Sequence, residues 1–148
     1  MENTNIIHYS PFSQENNYLK LHSAELVDIT IENATFTSCL FFLGSWKKIA
    51  FKNCRFQACV FDSLDLRACN FENCTFCYSK IDSCTWITCS FKNTTWTKTT
   101  INYSQWTLCD IDKQTSELIQ EDDQEDLHEV HQNTTTWTFH KKATYFAS

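Results

Sequence analysis

Nine cysteines in 148 residues are the first candidates for chemistry. Thiolates bind zinc, pair as disulfides or attack electrophiles, and each use asks for its own setting. An odd count, behind an N-terminus MENTNIIHYSPFSQENN with no basic stretch followed by an apolar one, argues against a secreted disulfide framework. His128 and His131, one helical turn apart beside Glu129, read as a solvated helix face rather than a metal or acid–base pair. The lone glycine, Gly44, cannot build a phosphate cradle, and no GxSxG or HExxH occurs. The expectation is therefore no catalytic residue, no metal and no cofactor. Asn-x-Ser/Thr sequons at Asn33, Asn73, Asn93, Asn102 and Asn133 read as Asn/Thr-rich surface. No apolar run reaches the length that spans a membrane.

Spacing then decides what the cysteines are for. In CRFQACVFDSLDLRACNFENCTFC, from Cys54, both Cys and Phe recur at steps of five, which is neither the helical nor the strand period. From Leu21 every fifth residue to Ile111 is large and apolar, among them Phe36, Trp46, Phe56, Leu66, Phe76, Trp86, Trp96 and Trp106. Two positions earlier runs a second track, small apart from Ile29, Ile49 and Leu64, that holds eight of the nine cysteines. Cysteine there is a small buried filler beside a large neighbour. Cys77 follows Phe76 and is expected to point outward. Thr94, Thr95, Thr97, Thr99 and Thr100 fall on inward and outward positions alike, and strand propensity accounts for most of them.

The C-x-F-x-x units CRFQA, CVFDS, CNFEN, CTFCY and CSFKN resemble the pentapeptide-repeat family, whose consensus is A-(D/N)-L-x-x. The resemblance covers about residues 19–113. It implies an all-β solenoid, a right-handed quadrilateral β-helix with four pentapeptides per coil. Residues twenty apart then stack, about 4.8 Å from coil to coil. Residues 1–18 are expected as a polar cap or arm, 19–113 as the β-helix, 114–132 as an acidic capping helix and 133–148 as an aromatic tail or strand. Thr115 or Ser116 would start the helix, with Leu118, Ile119, Leu127 and Val130 facing inward. The bulk of Ile49 and Leu64, and the glycine in FFLGSW, suggest a widened or irregular coil around 41–50.

Charge separates the function classes. Residues 1–18 carry −2, 19–113 carry +1 and 114–148 carry −5. Some proteins of the family mimic DNA as acidic rods that bind gyrase or topoisomerase, and the Cys-x-Phe wording resembles that quinolone-resistance-like group. A mimic needs anionic charge along its rod, and this rod is nearly neutral. The reading adopted is a rigid, non-catalytic protein-interaction module, a scaffold or a bacterial effector, in the cytoplasm or delivered to a host cytoplasm. The alternative is the DNA mimic. The expected partner is another protein, with no direct nucleic-acid binding and with homodimerisation through the C-terminal segment as an option. Candidate contacts are Leu40, Phe42 and Leu43, with Lys47, Lys48, Lys52, Arg55 and Arg67 around them, and Trp137, Phe139, Tyr145 and Phe146 in the tail.

Overall fold

The computed structural model describes residues 6–122 and 136–140, with side chains from 6 to 119. The chain winds into about five stacked parallel coils. Each side of a coil is a short strand centred on one large apolar residue, as in Thr35–Thr37, Leu40–Phe42 and Arg55–Gln57. Two residues after each centre the backbone enters the left-handed region. This happens at every fifth residue from Tyr18 to Leu108, with φ between 48° and 62°. That single residue turns the chain through a corner, so the five-residue period of the sequence becomes a square cross-section.

Four faces result. Glu25–Glu32, Ser45–Lys52 and Gln105–Ile111 each run through a corner and contribute to the first and second faces. Between them Asp65–Arg67 and Thr85–Ile87 complete the first face, and Asn70–Glu72 and Ser90–Lys92 the second. Glu15–Asn17, Thr35–Thr37, Arg55–Gln57, Thr75–Cys77 and Thr95–Thr97 form the third. Lys20–His22, Leu40–Phe42, Val60–Asp62, Lys80–Asp82 and Thr100–Asn102 form the fourth. Every parallel partner within these coils is twenty residues away, as in Leu66 with Trp46 and Trp86.

Inside, the large residues stack in ladders. Phe36, Phe56, Phe76 and Trp96 lie ring on ring at 4.9, 4.8 and 4.3 Å, and Phe51, Phe71 and Phe91 at 4.9 and 4.8 Å. Such contacts add about 0.5–1.5 kcal/mol each to the burial itself. The coil around 41–50 is not irregular, because Glu25–Glu32 and Ser45–Lys52 stay in twenty-residue register. Gly44 absorbs the bulk instead. A Cβ there would sit 2.8 Å from the Ala24 carbonyl oxygen and 3.3 Å from Leu64 Cδ2 and Trp46 Nε1.

The two ends are closed differently. Phe12 packs edge-on against Phe36 and Phe41, while Ile6–Ile7 pairs beside Glu25 and Leu26. Asn16, at an inward position, holds the Ser13 backbone and donates to the Thr35 carbonyl. At the other end a helix, Lys113–Asp122, lies on the last coil with Ile119 buried and Leu118 half-buried. Its cap is Asp112, not Thr115 or Ser116. Asp112 accepts from the Thr115 amide at 3.0 Å and, through its other oxygen, from the Thr94 amide at 2.8 Å. One carboxylate thereby starts the helix and ties it to the coil. Thr115 is buried and accepts a hydrogen bond from the Trp96 indole. The edge of Gln105–Ile111 is covered by Thr136–His140, which pairs with it antiparallel. Leu127, Val130, His128 and His131 lie outside the described residues. Among the described residues no helix is long and apolar enough to cross a membrane.

Candidate functional site: the fourth face of the coil

The cysteines belong to the interior. Each of the eight on the small track donates its thiol to backbone carbonyls, as Cys59 Sγ does to the Phe36 oxygen at 3.3 Å and the Gln57 oxygen at 3.5 Å. Toward the C-terminal end Ser79 and Thr99 do the same with hydroxyls. They also accept the amide of the coil before, Cys59 N–H to Ser79 Oγ and Ser79 N–H to Thr99 Oγ1. Burial pushes the thiols of Cys59 and Cys84 up to about 12. Cys74 is raised by its hydrogen bond with Cys54 and then by burial, and Cys89 by hydrogen bonds with Cys109 and Cys69 and then by burial. Their partners Cys54, Cys69 and Cys109 are lowered by the same hydrogen bonds, against the opposing effect of burial. All of these thiols are closed off from solvent inside the coil.

Cys77 does not project into solvent as its place after Phe76 suggests. It is 8% exposed, because a short side chain in register between Gln57 and Thr97 is shaded by both. Cys74 and Cys77 are a C-x-x-C pair in sequence, yet they occupy inward and outward tracks of different character and do not converge. Among the described residues no group of three or more His, Cys, Asp or Glu is arranged to hold a metal ion.

What the surface offers is therefore shape and charge. The structure separates the basic residues grouped by sequence. Lys47 and Arg67 share the first face, Lys48 sits at its far corner, Lys52 is on the second face and Arg55 on the third, all exposed. Arg67 is also held by Asp65 at 3.4 Å. Five residues along the chain turn a side chain to the next face, so neighbours in sequence become strangers in space.

Leu40, Phe42 and Leu43 stay together, on the fourth face and its rim. Two outward tracks cross this face. One reads Lys20, Leu40, Val60, Lys80, Thr100, and the other His22, Phe42, Asp62, Asp82, Asn102, both in strict register. Phe42 packs on the His22 ring with centroids 4.4 Å apart. The rims are left-handed corners. One carries Tyr18, Ser38, Ala58, Tyr78 and Lys98, the other Ser23, Leu43, Ser63, Ser83 and Tyr103. Ser63 and Ser83 donate to the carboxylates of Asp62 and Asp82 at 2.8 and 3.1 Å, which fixes where those acids lie.

The rims carry a second signal. A left-handed backbone costs a residue with a Cβ roughly 1–2 kcal/mol, and Asn or Asp tolerate it best. Within the coils, every exposed large apolar residue described sits at such a corner: Tyr18, Leu43, Tyr78 and Leu108, between 54% and 76% exposed. Three of these four flank the fourth face. The left-handed turn is costlier at these four than at the asparagine corners. Tyr18, Lys80 and Asp82 escaped the sequence reading. Position counted in twenties from Leu40 and Phe42 is the signal that finds the last two.

Of the tail residues, Trp137 and Phe139 fall in the strand Thr136–His140, opposite Cys109 and Trp106. Tyr145 and Phe146 lie outside the described residues.

No protein-family model and no curated protein matches the chain. Among solved structures it is similar to full-length QnrB1, a plasmid-mediated fluoroquinolone resistance protein, at 17% identity and a TM-score of 0.21, covering 61% of this chain and 59% of that one. A trypsin-treated variant of QnrB1 is 10% identical with a TM-score of 0.22, covering 70% of this chain and 72% of that one. The chain thus spans about three fifths of the full-length QnrB1 structure. Neither likeness bears on what this protein binds. What places it is its own geometry: with a five-residue side, a twenty-residue coil and a small–large inward pair repeated throughout, the chain is a four-sided parallel β-solenoid of five-residue repeats, the fold that its resemblance to the pentapeptide-repeat family implies.

Proposed function

We propose that the protein is a non-catalytic binding module that docks another protein on its fourth face. One observation carries this. Leu40, Phe42 and Val60 lie on that face, Leu43 and Tyr103 are on one rim, and Tyr18 and Tyr78 are on the rim it shares with the third face. The strands of the second and third faces, by contrast, present no outward Leu, Val, Ile or aromatic side chain. A flat strip of fixed side chains on a stacked core loses little entropy when it is covered. The burial of the cysteine thiols, each within 2% of full enclosure on the small track, supports the non-catalytic part of the reading.

Charge gives the DNA-mimic alternative no matching support. On the second face Glu32, Lys52, Glu72 and Lys92 alternate in sign along the rod. The stacked acids Asp62 and Asp82 share their face with Lys80, whose Nζ is 4.0 Å from Asp82. A photo-crosslinking residue placed at Phe42 should capture one defined protein in cells, whereas the same residue at Asn73 should not. Equal capture from both sites, or none from Phe42, defeats the reading. Inhibition of gyrase supercoiling by the pure protein would put the alternative in its place.

A further inference from the structure

Resting on the reading of the fourth face as a docking surface, we infer that its occupant is a second copy of this chain, related by a two-fold axis parallel to the rod. Such an axis sets each coil against the same coil of its partner and exchanges the two outward tracks. Leu40 then meets the partner's Phe42, and Phe42 the partner's Leu40. Two coils on, Lys80 meets the partner's Asp82 and Asp82 the partner's Lys80, making a square of alternating charge. In the last coil Thr100 meets the partner's Asn102, an amide–hydroxyl match, while the two remaining levels, Lys20 over the partner's His22 and Val60 over the partner's Asp62, add no attraction. Each pairing follows from register alone.

The rims agree independently. The same operation lays one corner column on the other, so that bulk meets a small residue at each of the four first levels or small meets small. Tyr18 faces the partner's Ser23, Ser38 the partner's Leu43, Ala58 the partner's Ser63 and Tyr78 the partner's Ser83. At the fifth level Lys98 comes over the partner's Tyr103, a cation against an aromatic face. The strained tyrosines and leucine thus acquire a purpose: each fills the gap left by a serine across the interface.

Two other arrangements match less well, although the first face offers a like exchange of Asp65 with the partner's Arg67. A two-fold axis across the rod keeps each track opposite itself. With the apolar rows of Leu40 and Val60 in contact it sets Lys20 against Lys80, and centred on Phe42 it leaves the last two coils uncovered. On the second face the exchange of tracks sets Lys52 against the partner's Ala50 and Lys92 against the partner's Ser90, pairing no charges. Five coils make a strip only about 24 Å long. Its area falls short of the roughly 800 Å² per partner of a stable dimer, so the association is weak and depends on concentration.

Sedimentation velocity of the full chain, from about 10 μM to about 1 mM around the range expected of weak complexes, tests this. A reversible dimer is expected. K80D alone and D82K alone should each weaken association at least tenfold, by opposing like charges, and the K80D/D82K double variant should restore it. Thermal melts by circular dichroism should show all three variants folded. A chain that stays monomeric throughout overturns the inference, as does a dimer indifferent to both single changes or a double variant that fails to recover. If the chain is monomeric while a crosslinker at Phe42 still captures a different protein, the docking face stands and only the identity of its occupant falls. If Phe42 captures nothing either, both fall.

Discussion

The second and fourth faces share one backbone and one kind of core but dress it in opposite ways. The corner after the second face is a ladder of Asn33, Asn53, Asn73 and Asn93 at φ 55° to 58°, the residue type that tolerates the left-handed region, and Asn93 donates to Asn73 at 3.0 Å. Its outward charges alternate, so neighbouring coils attract. The corners of the fourth face hold Tyr18, Leu43, Tyr78 and Tyr103 at φ 52° to 58°, where the same turn is costly. The asparagine corner is relaxed and self-satisfied, although the second face's other corner carries Thr88 and Leu108 at φ 52°. The corners of the fourth face hold bulk at a costlier turn. The coil's shape is thus set from within, and the corners differ in what they display.

If the faces differ only outside, the largest effects must be common to both. Phe71 beneath the second face and Phe61 beneath the fourth are each 1% exposed. Changing either to Asp buries a charge in a ring ladder and should cost more than about 4 kcal/mol. Strand signal in far-ultraviolet circular dichroism should be lost equally in the two variants. A folded F71D/F91D double variant would reject the assignment of the inner ladder.

Alkaline pH should act next, and on the margins of the fourth face. Cys59 and Cys84, at its two inner corners, are raised by burial from 9.0 to about 12. A folded value above the unfolded one means the stability is fully present below pH 9 and is lost as pH rises toward 12. Each thiol should give a slope of about 1.4 kcal/mol per pH unit within that window. Urea midpoints that stay flat from pH 9 to 11 would show that these thiols ionise freely. Gly44→Ala, just past the Leu43 corner, should cost about 1–3 kcal/mol, because the new methyl meets the Ala24 carbonyl, part of a backbone that cannot swing aside. An unchanged urea midpoint would mean that the two coils can separate.

The smallest effects sharpen the contrast most. Tyr78→Asn should raise stability by about 0.5–1 kcal/mol by relieving its corner, and Asn73→Tyr should lower it by a similar amount. Chemical denaturation resolves both. Should Tyr78→Asn destabilise instead, the tyrosine is packed on its own coil and the argument from strain is lost.

Much of this was legible because the inward tracks obey a rule that needs no distant partner. A large residue every fifth position, with a small one two before it, names Phe56, Phe71 and Trp86 as core wherever the coils later settle. The cysteine thiols were legible as filler. Their hydrogen bonds to carbonyls of the preceding coil were not, because those acceptors are 23 residues away. Asp112 as the cap was hidden for a similar reason, since its second oxygen serves Thr94 in the coil. Cys77 misled because outward position was equated with exposure, whereas its exposure depends on Gln57 and Thr97 above and below it.

The candidate site divides along the same line. Leu40, Phe42 and Leu43 are close in sequence and remain close, so local reading found them. Lys52 and Arg55 are also near in sequence, yet successive corners carry them to other faces. Amino-acid order by itself determined the period, the inner ladders and the near-neutral charge of the rod, because these follow from local sterics and burial repeated coil after coil. Only the tertiary structure decided which outward residues share a face, since four left-handed corners must close a coil before residues twenty apart become neighbours.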